Sequence, residues 1–199
     1  MIELPKCYSE QEREDIRLRL KTEARKCLAQ YGIKRTTVDE LVRRVNIPKG
    51  TFYLFYQSKE LLLYEVIEEE HEALEKELFQ KMQELCKDTI DAAKITEIIF
   101  SIMKKAAESP GLRMLRSAEV ELLYRKLPTE IVEEHLKGDQ DIVGKVFEFV
   151  PIGKKINKSA FSVAFREIYF LALDKKEIDE EEWNQALRLL INGLVVQLM

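Results

Sequence analysis

The sequence predicts an all-α protein. Apolar residues recur at three- and four-residue spacing along most of the 199 residues, only 7 Gly and 5 Pro interrupt them, and no stretch keeps the two-residue alternation of a strand. Hydrophobic residues at 46% can fill a core, and charged residues at 34% can clothe helix faces. About nine helices fit this pattern.

Ser9 followed by Glu12 is a capping-box start, and Ile16, Leu20, Ala24, Cys27, Leu28 and Tyr31 continue it to a C-cap at Gly32. Thr37 and Glu40 read as a second capping box, opening a short helix through Leu41, Val42 and Val45. Asn46 tolerates the left-handed backbone of a sharp turn, and Ile47-Pro48 lets a third helix begin at the proline and run through Lys49–Phe55. Ser58 caps a long fourth helix carrying Leu61, Leu62, Val66, Ile67, His71, Leu74, Leu78, Met82 and Leu85. Further helices are expected at 89–108, 111–125, 129–149, 158–174 and 180–198, separated by Pro110-Gly111, Pro128, Pro151-Ile152-Gly153 and Asp174–Asp179.

The formal net charge is -4, but unevenly spread. Residues 1–65 hold 13 Lys and Arg against 10 Asp and Glu, and residues 66–199 hold 19 against 26. A basic head on an acidic body points toward a polyanionic partner for the head. Cys7, Cys27 and Cys86 form no CxxC pair and suit a reducing compartment. The N-terminal residues lack a signal-peptide pattern, and no apolar run nears the roughly 20 residues of a membrane span. A cytoplasmic protein without membrane contact is expected. Two histidines, scattered cysteines and no Gly-rich phosphate loop leave no catalytic constellation, so neither enzymatic activity nor a cofactor is expected.

Helix, turn and helix over residues 37–55 form a helix-turn-helix, whose second helix can enter the DNA major groove. Lys49, Gly50, Thr51 and Tyr53 stand at its N-terminal end. Lys49 can donate to guanine O6 or N7, Gly50 permits close backbone approach, and Thr51 can meet a base edge. Tyr53 and Lys59 can hold phosphates, while Phe52 and Tyr56 point inward. Thr37, as cap and phosphate ligand, and Arg43 and Arg44 complete the DNA-binding set, with Arg35 a weaker candidate; a solvated face would also explain the arginines.

The segment TTVDELVRRVNIPKGTFYLFYQSKELL, residues 36–62, resembles the TetR (tetracycline-repressor-like) family of bacterial regulators. The likeness rests on Leu41-Val42, Asn46-Ile47, Gly50-Thr51, Phe52-Tyr53, Tyr56 and Lys59-Glu60-Leu61. It covers about the first 65 residues; the body matches in length and helical content. Leu54 and Phe55 depart from the aromatic and histidine residues common there, which often touch phosphate. The resemblance implies a helix-turn-helix domain over 1–58 and a ligand-binding and dimerisation domain over 59–199. It implies a homodimeric repressor that binds a double-stranded operator and is released by a small-molecule effector. An adaptor that acts through a protein partner without operator binding is the alternative, resting on Leu54 and Phe55.

The last two helices are apolar on two sides, so each needs two partners. Phe161 and Phe165 on one and Trp183, Leu187, Leu190 and Leu194 on the other are expected at a subunit contact. The resemblance agrees, since such dimers pair through their last two helices. Gly193 would allow close helix approach.

In the middle of the chain, Glu119 interrupts the stripe Leu112, Leu115, Ala118, Leu122 and Leu123, while His135 and Asp139 interrupt Ile131, Ile142 and Val146. Glu119 can pair with Arg116 and His135 with Asp139. Alternatively these groups project, with Phe100 and Met103, into the ligand cavity the resemblance implies. Two spaced ligands are too few to claim a metal.

Overall fold

A computed structural model describes residues 8–85, 91–133, 145–146, 148–149, 157–174 and 178–199. Among these residues the secondary structure is helical throughout, without strands. The elements are α1 (Glu10–Arg35), α2 (Val38–Val45), α3 (Lys49–Phe52), α4 (Lys59–Leu85), α5 (Ala92–Glu108), α6 (Pro110–Arg113), a 3-10 turn (Met114–Arg116), α7 (Glu119–Tyr124), α8 (Lys158–Leu173) and α9 (Glu180–Val195). Residues 129–133 are also helical.

The punctuation read from sequence acts largely as expected. Ser9 and Glu12 form a full capping box. Asn46 takes the left-handed conformation at φ 57°, and the Ile47 N–H returns to the Val42 carbonyl at 3.0 Å, closing α2 in a Schellman-type turn. Ser58 accepts the Leu61 N–H at 3.2 Å at the head of α4.

Four local expectations change. Gly32 does adopt positive φ, but helical turns resume beyond it, so α1 bends there and runs to Arg35. The second capping box is half made: Thr37 Oγ1 accepts the Glu40 N–H at 3.2 Å, while the Glu40 carboxylate turns to Arg43 and Arg44. α3 stops at Phe52, and Leu54 and Phe55 continue it as tighter turns onto the Thr51 and Phe52 carbonyls. The expected single helix at 111–125 is broken at Ser117, whose backbone is extended and whose hydroxyl bonds the Met114 carbonyl at 2.8 Å. A serine offering its own hydrogen bond competes with the helical ladder. Glu119 thereby leaves the stripe assigned to it and opens α7 instead.

Two cores result. The first joins Leu20, Ala24, Leu28, Leu41, Val45 and Phe52 to Leu62, Leu63 and Val66 of α4 and to Leu112 and Leu123 of the body. It therefore reaches past residue 58. The second lies between the far end of α4 and α5, α8 and α9, around Met82, Ile95, Met103, Phe161, Leu187 and Ile191. α4 spans both cores and is the beam that connects them.

Gly32, at φ 75° and ψ -174°, is the strained point of α1. A Cβ there would lie 2.8 Å from Oε2 of Glu119. Gly32→Ala should therefore lower unfolding stability by about 1–3 kcal/mol, since this backbone region is nearly confined to glycine. Urea titration followed by helical circular dichroism measures it, and an unchanged midpoint would contradict the assignment of strain.

Candidate nucleic-acid interface

The interface is built from the first turns of α2 and α3. Val42, Val45 and Phe52 are buried and dock the two short helices on α1 and α4. Arg19 adds a donor to the Val45 carbonyl at the end of α2. Arg44 donates to Glu40 at 2.6 Å, to Gln30 at 3.0 Å and to the Tyr31 hydroxyl at 3.2 Å, with its guanidinium over the Tyr31 ring. The hydrogen bond to Glu40 raises the Arg44 pKa further above its ordinary value. These ties fix the angle of α2 on α1.

Lys49 Nζ lies 2.8 Å and 3.1 Å from the two carboxylate oxygens of Asp39. That contact, ten residues apart in sequence, brings the first turns of α2 and α3 onto one exposed face. Asp39 raises the Lys49 pKa by hydrogen bonding and charge, so the ammonium stays charged. Gly50 beside it is exposed, and a Cβ there would touch nothing within 4 Å. Tyr53 is half exposed, its ring standing edge-on to Phe52 at 5.4 Å. Leu54 is 59% exposed, on the same segment. Thr37 remains exposed while capping α2. Arg43 is exposed and held by both oxygens of Glu40.

Three of the residues expected on DNA are engaged inside the protein. Thr51 is buried and its hydroxyl meets Tyr8 Oη at 3.3 Å. Arg44 is held by the network above. Lys59 is half-buried and donates to the carbonyls of Ile33 at 2.8 Å and Thr36 at 2.5 Å. Burial pulls its pKa below the ordinary lysine value. Those two carbonyls hold its ammonium as a clamp on the end of α1. Phe55 is likewise accounted for, lying under the guanidinium groups of Arg13 and Arg17.

Sequence reading missed Asp39, whose importance comes from a contact outside helical spacing. It also missed Lys34, which stands exposed with Arg35 where α1 passes into α2. Their position beside the Thr37 cap is legible once the bend at Gly32 is known.

In the body, Phe100 and Met103 are buried in the second core, and the Arg188 guanidinium lies 3.7 Å from the Phe100 ring centroid. Glu119 does not pair with Arg116. Its carboxylate accepts the Lys34 N–H at 3.0 Å, and Arg116 approaches Asp174 at 3.4 Å. His135 and Asp139 lie outside the described residues. Among the described residues, no group of three or more His, Cys, Asp or Glu side chains could hold a metal ion, and no helix is long and apolar enough to cross a membrane.

The expected subunit contact also shifts. Phe161 and Leu187 are buried in this chain's own core, so they are not free for a partner. Phe165, Trp183 and Leu194 are half-buried. Leu190 is exposed, with Leu189 and Val196. A helical period reveals two apolar faces without saying which is inward.

Residues 22–66 match the family model described as bacterial regulatory proteins, tetR family. Over 61 residues the chain is 39% identical to the uncharacterized HTH-type transcriptional regulator YhgD of Bacillus subtilis (strain 168), an alignment spanning 31% of this chain and 30% of that protein. The chain thus spans under a third of the length of this curated relative. Among solved structures it is similar to SCO4454, a TetR-family transcriptional regulator from Streptomyces coelicolor, with a TM-score of 0.66 and 14% identity over 93% of this chain and 96% of that one. It is also similar to AibR in complex with isovaleryl coenzyme A and operator DNA, with a TM-score of 0.60 and 14% identity over 92% of this chain and 99% of that one. At such identities the structural likeness speaks to the fold.

Lys59→Met keeps the aliphatic stem and removes the ammonium from the carbonyls of Ile33 and Thr36. Unfolding stability should fall by about 1–3 kcal/mol, the cost of leaving buried acceptors without their donor. A urea titration at pH 7 reads this. A phosphate ligand would instead leave the urea midpoint in place.

Proposed function

From the match of residues 22–66 to the tetR family model, we propose that the protein is a TetR-family regulator, a sequence-specific DNA-binding transcriptional regulator. It acts in the cytoplasm as a homodimeric repressor that a small-molecule effector releases. The observation that carries the DNA reading is the Lys49–Asp39 contact, which sets the first turns of α2 and α3 side by side, with Thr37, Gly50 and Tyr53 exposed on these elements. Such a face offers a base donor, close backbone approach and phosphate ligands together. Lys34, Arg35 and Arg43 extend it with positive charge.

The dimer reading rests on the outer face of α9. Leu189, Leu190 and Val196 are exposed there, and Gly193 between them has no neighbour that a Cβ would meet. Val163 of α8 adds a further exposed apolar side chain. A groove of about 440 Å³ along α5 and α9, with Leu189, Arg188 and Asn192 in its wall, continues this surface. Two heads held by one such dimer would read two half-sites with fixed spacing.

For the effector, AibR shows that a fold of this kind can carry both an acyl coenzyme A and operator DNA. In this chain the effector would bind in the body, and a site beside α5 would have to part the core around Phe100 and Met103. Its binding changes operator affinity only by favouring one of two states that DNA distinguishes.

Selection from a random duplex pool, followed by titration of the enriched site at several salt concentrations, tests the DNA reading. Lys49→Ala should cost about 1–3 kcal/mol on the selected site and relax its preference at one base pair. Unaltered affinity and preference would remove Lys49 from the interface. Leu189→Arg places a charge in the outer face without touching the core. It should convert dimer to monomer in light scattering at micromolar concentration and abolish most operator affinity; a wild-type monomer would end the dimer reading.

A further inference from the structure

Asp39 is an anomaly on a surface meant for phosphates. Its side chain is 74% exposed, in the first turn of α2, and its oxygens lie 2.8 Å and 3.1 Å from Lys49 Nζ. The neighbouring acid, Glu40, turns away to Arg43 and Arg44, so Asp39 alone of the two faces α3. We propose that Asp39 is a specificity-determining residue of the operator interface, one that holds Lys49 off the phosphate backbone and accepts an exocyclic base amino group beside it. The proposal rests on the DNA-binding reading above.

On random DNA the pair carries no net charge. Lys49 cannot release a counterion from phosphate without breaking its contact with Asp39, and the free carboxylate would then face the polyanion. Nonspecific binding is weakened. At a matching site both groups find complementary edges in the major groove. Lys49 donates to guanine O6 or N7, and Asp39 accepts from an amino group such as cytosine N4. At a mismatched site the carboxylate meets the acceptor edge of guanine or the O4 of thymine, lone pair against lone pair. Discrimination therefore comes from a repulsive element as well as an attractive one.

Asp39 also lies near the N-terminus of α2, where a negative charge favours the helix dipole. That structural role would change stability without changing which DNA is chosen. The test therefore compares wild type, Asp39→Ala and Asp39→Glu on two duplexes, the operator selected by the wild-type protein and a scrambled sequence of equal length. Asp39→Ala should bind the scrambled duplex several-fold more tightly, with a salt slope steeper by about one unit. Its ratio of operator to scrambled affinity should fall by about tenfold or more, the scale of one good base contact. Reselection with this variant should lose the preference for an amino-bearing base at one position, and Asp39→Glu should recover much of the ratio. An unchanged ratio, whether both affinities rise together or neither moves, overturns the proposal while leaving the DNA-binding reading intact. A wild-type protein that selects no sequence overturns both, and does so before any variant is made.

Discussion

The end of α1 is the constraint on which the head depends. Gly32 breaks the helical backbone, freeing N–H and carbonyl groups just where the chain must turn into α2. Those groups are gathered from three directions. Thr36 Oγ1 donates to the Gly32 carbonyl at 2.7 Å, Lys59 collects the carbonyls of Ile33 and Thr36, and Glu119 accepts the Lys34 N–H. Buried backbone polar groups that lacked such partners would each cost free energy comparable to a lost hydrogen bond. Lys59 begins α4 and Glu119 begins α7, so the same turn joins head, beam and body. Lys126 reaches Glu60 of α4 at 2.9 Å nearby, reinforcing that junction.

Charge on the head is organised by this architecture more than by composition. Arg19, Arg44 and Lys59 act on carbonyls, carboxylates and rings within the fold. Lys21 and Arg25 pair with Glu65, Glu69 and Glu70 across α1 and α4. Several basic side chains of the first 65 residues are thus tied up within the fold. Among those that stay exposed, Lys34, Arg35, Arg43 and Lys49 lie around the α1–α2 junction and the start of α3, and Arg13, Arg17 and Lys26 lie along α1.

The body has a different logic. α5 is packed by α4 on one side and α9 on the other, so its apolar residues are consumed by the chain itself. α9 keeps an inner stripe of Leu187, Ile191, Val195 and Leu198 and presents Leu189, Leu190 and Val196 outward. Exposed apolar side chains about two turns apart, with a glycine between them, are the form of a surface that buries itself against another helix. Thr96 Oγ1 reaches Asn192 at 3.3 Å across the inner seam, giving that contact a polar register point.

What the sequence by itself determined was the local grammar. Ser9 with Glu12, Thr37, Asn46, Pro48 and Ser58 mark helix ends because each acts on backbone groups within a few residues, so their effect survives without knowledge of the fold. The helix-turn-helix and its resemblance are legible for the same reason, as are the two apolar faces of the last helices. Tertiary structure decided what no spacing encodes. Lys59 and Arg44 are internal because distant carbonyls and rings came within reach, Thr51 is buried where its hydroxyl meets Tyr8, and Glu119 serves a turn 85 residues away. Asp39 gained its place beside Lys49 only when α2 and α3 docked. A side chain's chemistry is written in its type, but its partner is set by where packing brings the other backbone, and that is a property of the whole chain.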